Sequence, residues 1–238
     1  RSDAADRVSV VFDCGELGFG SLAAHGHADA LSVMVRAGGV DVLVDPGTYD
    51  YFSHPQWRQY FRSTRAHNTV AIDGKDQSAQ HGSFLWGRRA AARCLAWYPR
   101  EGGGKVVGEH DGYRQLEDPV TCRRSPQLDR DTRSLTITDE ILSKGAHDVT
   151  LFFHFADHCE VRSASKSDHL FHVRFAGGSA LLRLDQSMTV TLSTGGNAPE
   201  SGWMSRGYHR RTPASLVAAN VRSSGALTLQ TRLEFLRT

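Results

Sequence analysis

His25, His27 and Asp29 fall at every second position of His25-Gly26-His27-Ala28-Asp29, and two later landmarks carry donors of the same kind: Asp45 in Asp45-Pro46-Gly47 and His67 in Ala66-His67-Asn68-Thr69. In an extended strand alternate side chains share a face, so the first three would project together. Imidazole nitrogens and carboxylate oxygens are donors that zinc takes. A rigid His-x-His pair needs only one or two further ligands from neighbouring strands, and Asp45 and His67 are placed to supply them. Each landmark also has a plainer reading. A lone His-x-His is a weak metal signal, and the carboxylate of an Asp-Pro-Gly turn can simply cap its own backbone.

The elements that must position these residues read as strands: short apolar runs with period two or β-branched content, separated by glycine and polar punctuation. Val8–Phe12 is the first. The glycines between Cys14 and Gly20 suit tight turns, because no βαβ context or following lysine supports a phosphate cradle. Residues 31–36 and 40–44 form a hairpin across Ala37-Gly38-Gly39 that delivers Asp45 at a strand exit, where Pro46 and Gly47 stop the strand. The one helical segment is Pro55–Arg62, with proline at a helix-compatible start. It carries Trp57, Tyr60 and Phe61 beside Arg58 and Arg62, and Tyr49, Tyr51 and Phe52 precede it. Aromatic and basic together, this stretch suits stacking on sugar rings and pairing with carboxylates or sulfates; it equally suits a short helix covering a sheet edge. A strand at 69–72 then ends at Asp73-Gly74.

Further strands are expected at 88–98, 106–110, 134–142, 149–155, 170–175, 180–184, 188–192, 215–221 and 227–235, with turns at 101–104, Gly177-Gly178 and Gly195-Gly196-Asn197. Strand density this high with almost no helix needs two stacked sheets to bury its faces. The expectation is all-β: one large antiparallel β-sandwich over residues 1–238, with one short helix and no linker, repeat or composition break.

Composition narrows the function. The 238 residues are 39% hydrophobic, enough for a real core, and the net charge of +2 beside 12 histidines argues against wholesale nucleic-acid binding. Cys14, Cys94, Cys122 and Cys159 are widely spaced and fit neither a zinc ribbon nor a dense disulfide framework. No apolar run has the length of a membrane span, and a start at Arg1 suggests a processed or excised segment. His154, within Phe152-Phe153-His154-Phe155, reads as a hydrogen-bonded core histidine; His169 and His172 are uncommitted; His81, His110 and His209 read as solvated or at most in contact with a ligand. Without a Gly-x-Ser-x-Gly elbow or strand-helix alternation, a Ser-His-Asp hydrolase is disfavoured.

Three motifs taken together carry a resemblance: His25 to Ala30, then Val44-Asp45-Pro46-Gly47-Thr48-Tyr49, then Arg62-Ser63-Thr64-Arg65-Ala66-His67-Asn68-Thr69-Val70. This set resembles the heparinase II/III-like family of polysaccharide lyases. Gly202-Trp203 and the stretch from Tyr208 to Pro213 are similar to a later region of that family.

The resemblance implies a supersandwich-like β-sandwich that follows an N-terminal α/α toroid, the toroid being absent from this chain, in a periplasmic or secreted enzyme that cleaves acidic polysaccharide such as heparan sulfate or alginate by β-elimination. It implies zinc on His27, Asp45 and His67, and a catalytic His25 facing the substrate cleft; a merely supporting place for His25 beside the metal stays open. Tyr49, Arg65 and Asn68, within the matched motifs, are the expected substrate contacts, and Asp29 is left as a supporting or turn carboxylate. Arg58, Arg62, Arg65, Arg88 and Arg89 either line a polyanion groove or pair with the 26 acidic residues at the surface. The implied partners are the toroid and an acidic polysaccharide, with no nucleic acid and no membrane span. Two other readings stay open: a non-catalytic carbohydrate-binding module and a cupin-like metalloenzyme.

Overall fold

Leu229, Thr231, Leu233 and Phe235 are buried while the residues between them are more open, the period-two pattern of a strand with one face on a core. Burying each of the large apolar side chains contributes about 1.5–3 kcal/mol, and such strands, paired edge to edge, build nearly the whole molecule. The computed structural model describes residues 7–164, 167–196 and 202–236; residues 1–6 and Asn197 of the expected turn lie outside them.

In chain order the elements are β1 (Val8–Phe12), β2 (Val33–Ala37), β3 (Val40–Leu43), α1 (Pro55–Arg62), a 3-10 turn (Thr64–Ala66), β4 (Val70–Ile72), β5 (Ala92–Arg100), β6 (Gly103–Tyr113) and β7 (Val120–Asp129). There follow β8 (Ser134–Leu142), β9 (Asp148–His154), β10 (Glu160–Ala164), β11 (Ser167–Phe175), β12 (Gly178–Arg183), β13 (Thr189–Thr194), β14 (Trp203–Gly207), β15 (Arg210–Pro213), β16 (Ser215–Arg222) and β17 (Leu227–Leu236). One layer is an eight-stranded antiparallel sheet in the order β10-β11-β12-β17-β8-β7-β6-β5. The other joins β13-β16-β9-β4 to β1-β2-β3. The seam is a Leu43–Phe155 bridge with a 3.0 Å bond from Val44 N to His154 O. One core runs between the layers, holding Val33, Val35, Leu43, Leu151, Phe153 and Phe155 of the second layer against Leu135, Ile137, Leu182 and Leu233 of the first.

The all-β sandwich and the single helix are as expected from the sequence, and α1 has the expected bounds. Four strands were not foreseen: β7, β10 and the β14–β15 hairpin. β7 reads as polar because it contains Arg123, Arg124 and Pro126, yet Arg124 is buried. Its Nε and Nη2 bond the Asp139 carboxylate across the β7–β8 register at 2.6 and 3.2 Å, and its Nη1 bonds the carbonyls of Leu31 and Asn68. A charge neutralised this way can occupy a core position. No described helix is long and apolar enough to cross a membrane.

Candidate metal centre and adjoining cleft

The 3-10 turn ends at His67, whose Nδ1–H donates to Ser63 O at 2.8 Å. A carbonyl can only accept, so this bond fixes the ring and turns Nε2 inward. There it meets His27 Nδ1 at 3.1 Å and Asp45 Oδ2 at 3.3 Å. The other nitrogen of His27 lies 3.3 Å from the Thr48 hydroxyl. Asp45 caps its own turn, Oδ1 accepting from Gly47 N at 2.7 Å, while Oδ2 faces His67. Gly47 is required there, since its φ is +82° and a Cβ would lie 2.1 Å from Ser205 O. The β14–β15 hairpin closes on this turn through a 2.7 Å bond from Ser205 N to Pro46 O.

His25, His27 and Asp29 do not lie on a strand, which corrects the first expectation. The segment between β1 and β2 is a run of turns: Gly26 N bonds Ala23 O at 2.9 Å, Ala23 has a φ of +47°, and Gly18 and Gly26 pack backbone to backbone. The two histidines part company, His27 buried and His25 exposed. Asp29 stays with His27. One donor atom from each of His27, Asp29, Asp45 and His67 lies within 4.8 Å of every other. Asp29 is the member that sequence reasoning set aside, although its even spacing from His27 was visible.

The donor set fits a small divalent cation. Around a tetrahedral zinc with bonds of about 2.05 Å, neighbouring donors stand about 3.3 Å apart, close to the 3.1 and 3.3 Å seen here. The charge balance agrees. Burial pushes Asp29 up to about 6. Burial, and then the charge of His67, brings His27 down to about 3. Burial works against charge on His67, yet the hydrogen bond and charge of Asp45 outweigh it and hold the imidazole up at about 9. The same pairing overcomes burial to bring Asp45 down to about 2. The positive charge of the cluster sits on His67, paired with the Asp45 carboxylate.

Beyond Thr48 the centre opens on a cleft of about 280 Å³ lined by Thr48, Tyr49, Tyr51 and residues 205–208. Its outer ledge is aromatic. Tyr51 stacks on Phe84 and on Tyr208, with ring centroids 5.8 and 5.9 Å apart, and His25 meets Tyr51 and Phe84 edge-on at 5.6 and 6.0 Å. Asp50, fully buried, anchors two half-exposed imidazoles at the cleft: His54 Nδ1 lies 2.7 Å from Oδ2 and His209 Nε2 3.4 Å from Oδ1. Burial resists the charge on Asp50, but bonds from Phe52 N, His54 and Ser53 N hold its carboxyl well below the usual range. Tyr208 and His209 come from the turn between β14 and β15, so this grouping depends on a contact across some 160 positions of sequence.

Of the expected substrate contacts, Tyr49 lines the cleft at a φ of +64°; its ring is largely buried under the Arg211 guanidinium, which also bonds its hydroxyl. Arg65 is exposed on the 3-10 turn. Asn68 is interior: its Nδ2 bridges Val33 O and Val44 O, each at 2.9 Å, and its Oδ1 accepts from His154 N at 2.6 Å. Those bonds hold the seam between strands and leave the side chain nothing for a ligand.

Four of the five arginines are held by backbone carbonyls. Arg58 and Arg62 are buried and bind carbonyls, Arg58 those of Ser83 and Ala24, Arg62 those of Gly26 and Gly82. Arg62 also lies over the Trp86 ring at 4.2 Å. One turn apart on α1, the pair clamps the loop that carries His25 and His27. Arg88 and Arg89 bond the carbonyls of Gly112 and Ser21. His154 has its expected core role, with Nε2 donating to Arg65 O at 2.9 Å. His110, expected to be solvated, is 2% exposed.

The chain aligns with a heparinase III, the BT4657 gene product, at 21% identity with a TM-score of 0.77, covering 98% of this chain and 33% of that one. It aligns with heparan sulfate lyase HepC from Pedobacter heparinus at 12% identity with the same TM-score of 0.77, covering 97% and 33%. The chain therefore spans about a third of the length of these structures. No curated protein matches it. The family described as heparinase II/III-like, C-terminal, matches residues 2–231, and the chain belongs to that family.

Proposed function

We propose that this chain is the β-sandwich part of a polysaccharide lyase that cleaves a uronic-acid polysaccharide by β-elimination, with zinc held by His27, Asp45 and His67 and with Asp29 beside it. The observation that carries the reading is the aromatic ledge of Tyr51, Phe84 and Tyr208 with exposed His25 at its edge, backed through Thr48 by the donor set around buried His27 and His67.

Elimination requires a neutralised substrate carboxylate, a base that takes the proton beside it and an acid that protonates the departing glycosidic oxygen as the carbon–oxygen bond breaks. His25 contacts that carboxylate or moves one of these protons; the remaining groups come from an N-terminal toroid across the cleft. Tyr208, the exposed ring of the ledge, offers an apolar surface to sugar rings, and Arg65 offers a guanidinium to carboxylate or sulfate. Zinc, when bound, supplies a fixed positive charge that replaces the proton on His67 and locks the His27 loop to the Asp45 turn. Its role is structural. The family resemblance supports a place in the periplasm or as a secreted protein.

The non-catalytic binding module shares this cleft, and the stacked rings of the ledge alone suffice for it. A cupin-like enzyme fits less well, because the donors sit on turns at the edge of the sandwich and not inside a barrel. The test is to incubate the full-length protein with alginate, heparan sulfate and other glycuronans and follow the ultraviolet absorbance of an unsaturated product. Turnover that falls at least 100-fold in His25→Ala, with zinc content unchanged, supports the lyase; binding without product across the panel rejects it in favour of the module.

A further inference from the structure

We propose that Cys14 and Cys94 form a disulfide that staples the exit of β1 to β5. Cys94 stands opposite Gly108 in the β5–β6 register, and residues directly opposite on antiparallel strands put their side chains on one face. On that face Phe12 occupies the place of the missing side chain: a Cβ at Gly108 would lie 2.8 Å from the Phe12 ring and 2.6 Å from Leu31. The glycine thus seats the end of β1 beside Cys94. Cys14, two residues beyond Phe12, lines one cavity with Trp97 of β5 and Val106 of β6, near enough to Cys94 for the two thiols to act on each other electrostatically. A bulge between Cys94 and Ala96 leaves the Cys94 sulfur 3.7 Å from Ala96 O, exposed at the sheet edge. Cys122 and Cys159 are buried in the core, closed to an external oxidant.

The staple has something to hold. β5 is the last strand of its sheet and is paired on one side only, and Cys14 opens the loop that carries His27 and Asp29. The oxidant is a disulfide such as oxidised glutathione. Exposed Cys94 reacts first, since burial pushes the Cys14 thiol up. The Cys94 thiolate attacks one glutathione sulfur, that disulfide breaks, and one glutathione thiolate leaves. Cys14 then gives its proton to solvent and attacks Cys94 Sγ, expelling the second glutathione. Two protein thiols lose two electrons in all, and one glutathione disulfide becomes two thiols.

The full-length protein is incubated with oxidised and reduced glutathione, quenched with iodoacetamide and mapped by mass spectrometry. The expected map contains a Cys14–Cys94 cross-linked peptide, with Cys122 and Cys159 alkylated after denaturation. Melting rises by about 5–10 °C, is reversed by dithiothreitol, and does not rise in Cys94→Ser, a change at an exposed position. Cys14→Ser traps glutathione on Cys94. A map of the unmutated protein in which both cysteines remain alkylated, or in which glutathione persists on Cys94 with Cys14 free, overturns the proposal whatever the protein's activity.

Discussion

Replacing Asp139 with Leu would strand the Arg124 guanidinium in the core. Both side chains are 1% exposed and meet through two bonds at 2.6 and 3.2 Å. Removing one partner of such a pair leaves an uncompensated buried charge and costs about 3–5 kcal/mol, a large part of the roughly 5–15 kcal/mol that holds a domain folded. At about 2–4 °C per kcal/mol for a domain of this size, melting should fall by about 6–20 °C. The double variant Arg124→Met with Asp139→Leu removes both charges but also abandons the carbonyls of Leu31 and Asn68 that Arg124 bonds, at about 1–3 kcal/mol each. Its cost should therefore lie well below the sum of the two single changes, yet above zero, in a urea-denaturation cycle. Asn68 adjoins His67 and Leu31 closes the His27 loop, so Asp139→Leu should also weaken zinc retention against a chelator. A single-variant cost under about 1 kcal/mol, or additivity of the two changes, would falsify the claim that this pair is a coupled brace under the site.

Three further outcomes are expected. His67→Ala should lower zinc content and melting temperature together; loss of metal with unchanged melting would remove the structural role of the ion. Gly47→Ala should cost at least about 1–2 kcal/mol from its left-handed backbone alone, and its clash with Ser205 O should push the β14–β15 hairpin away, weakening oligosaccharide binding; binding unchanged by titration calorimetry would count against the hairpin as a cleft wall. His147, bonded to Asp73 at 2.8 Å and Asp118 at 3.0 Å, is raised because the two carboxylates outweigh its burial, and both carboxylates are lowered. The histidine's contribution is whole below the ordinary histidine value of about 6.5 and fades as pH rises through its raised value; the carboxylates' is whole above about 3.9 and fades as pH falls through their lowered values. The stability lost in His147→Gln should therefore be larger at pH 6 than at pH 9, and a pH-independent loss would refute the charged clamp.

Local chemistry was legible along the chain. Period-two runs marked most strands, Pro55 marked the start of α1, and His27, Asp45 and His67 were singled out as residues that the fold brings together. What local chemistry misjudged was burial. Arg58, Arg62 and Arg124 look like solvated cations because a charge is costly inside unless carbonyls or a carboxylate meet it, and those partners lie at Ala24, Gly26, Ser83, Asp139 and other distant positions. Asn68 looks like a ligand contact until its amide is seen bridging two strands.

By itself the sequence determined the all-β class, the strand that leads to Asp45 and the strand that follows His67, because pleat periodicity and turn residues act over a few positions. Only the tertiary structure decided that His25 and His27 diverge, that Asp29 joins the donor set, that Tyr208 reaches the cleft with His209 stacked on it and that Cys14 comes near Cys94. Each of these depends on how a loop is clamped or two sheets close, and that follows from contacts between segments tens of residues apart, which no local pattern encodes.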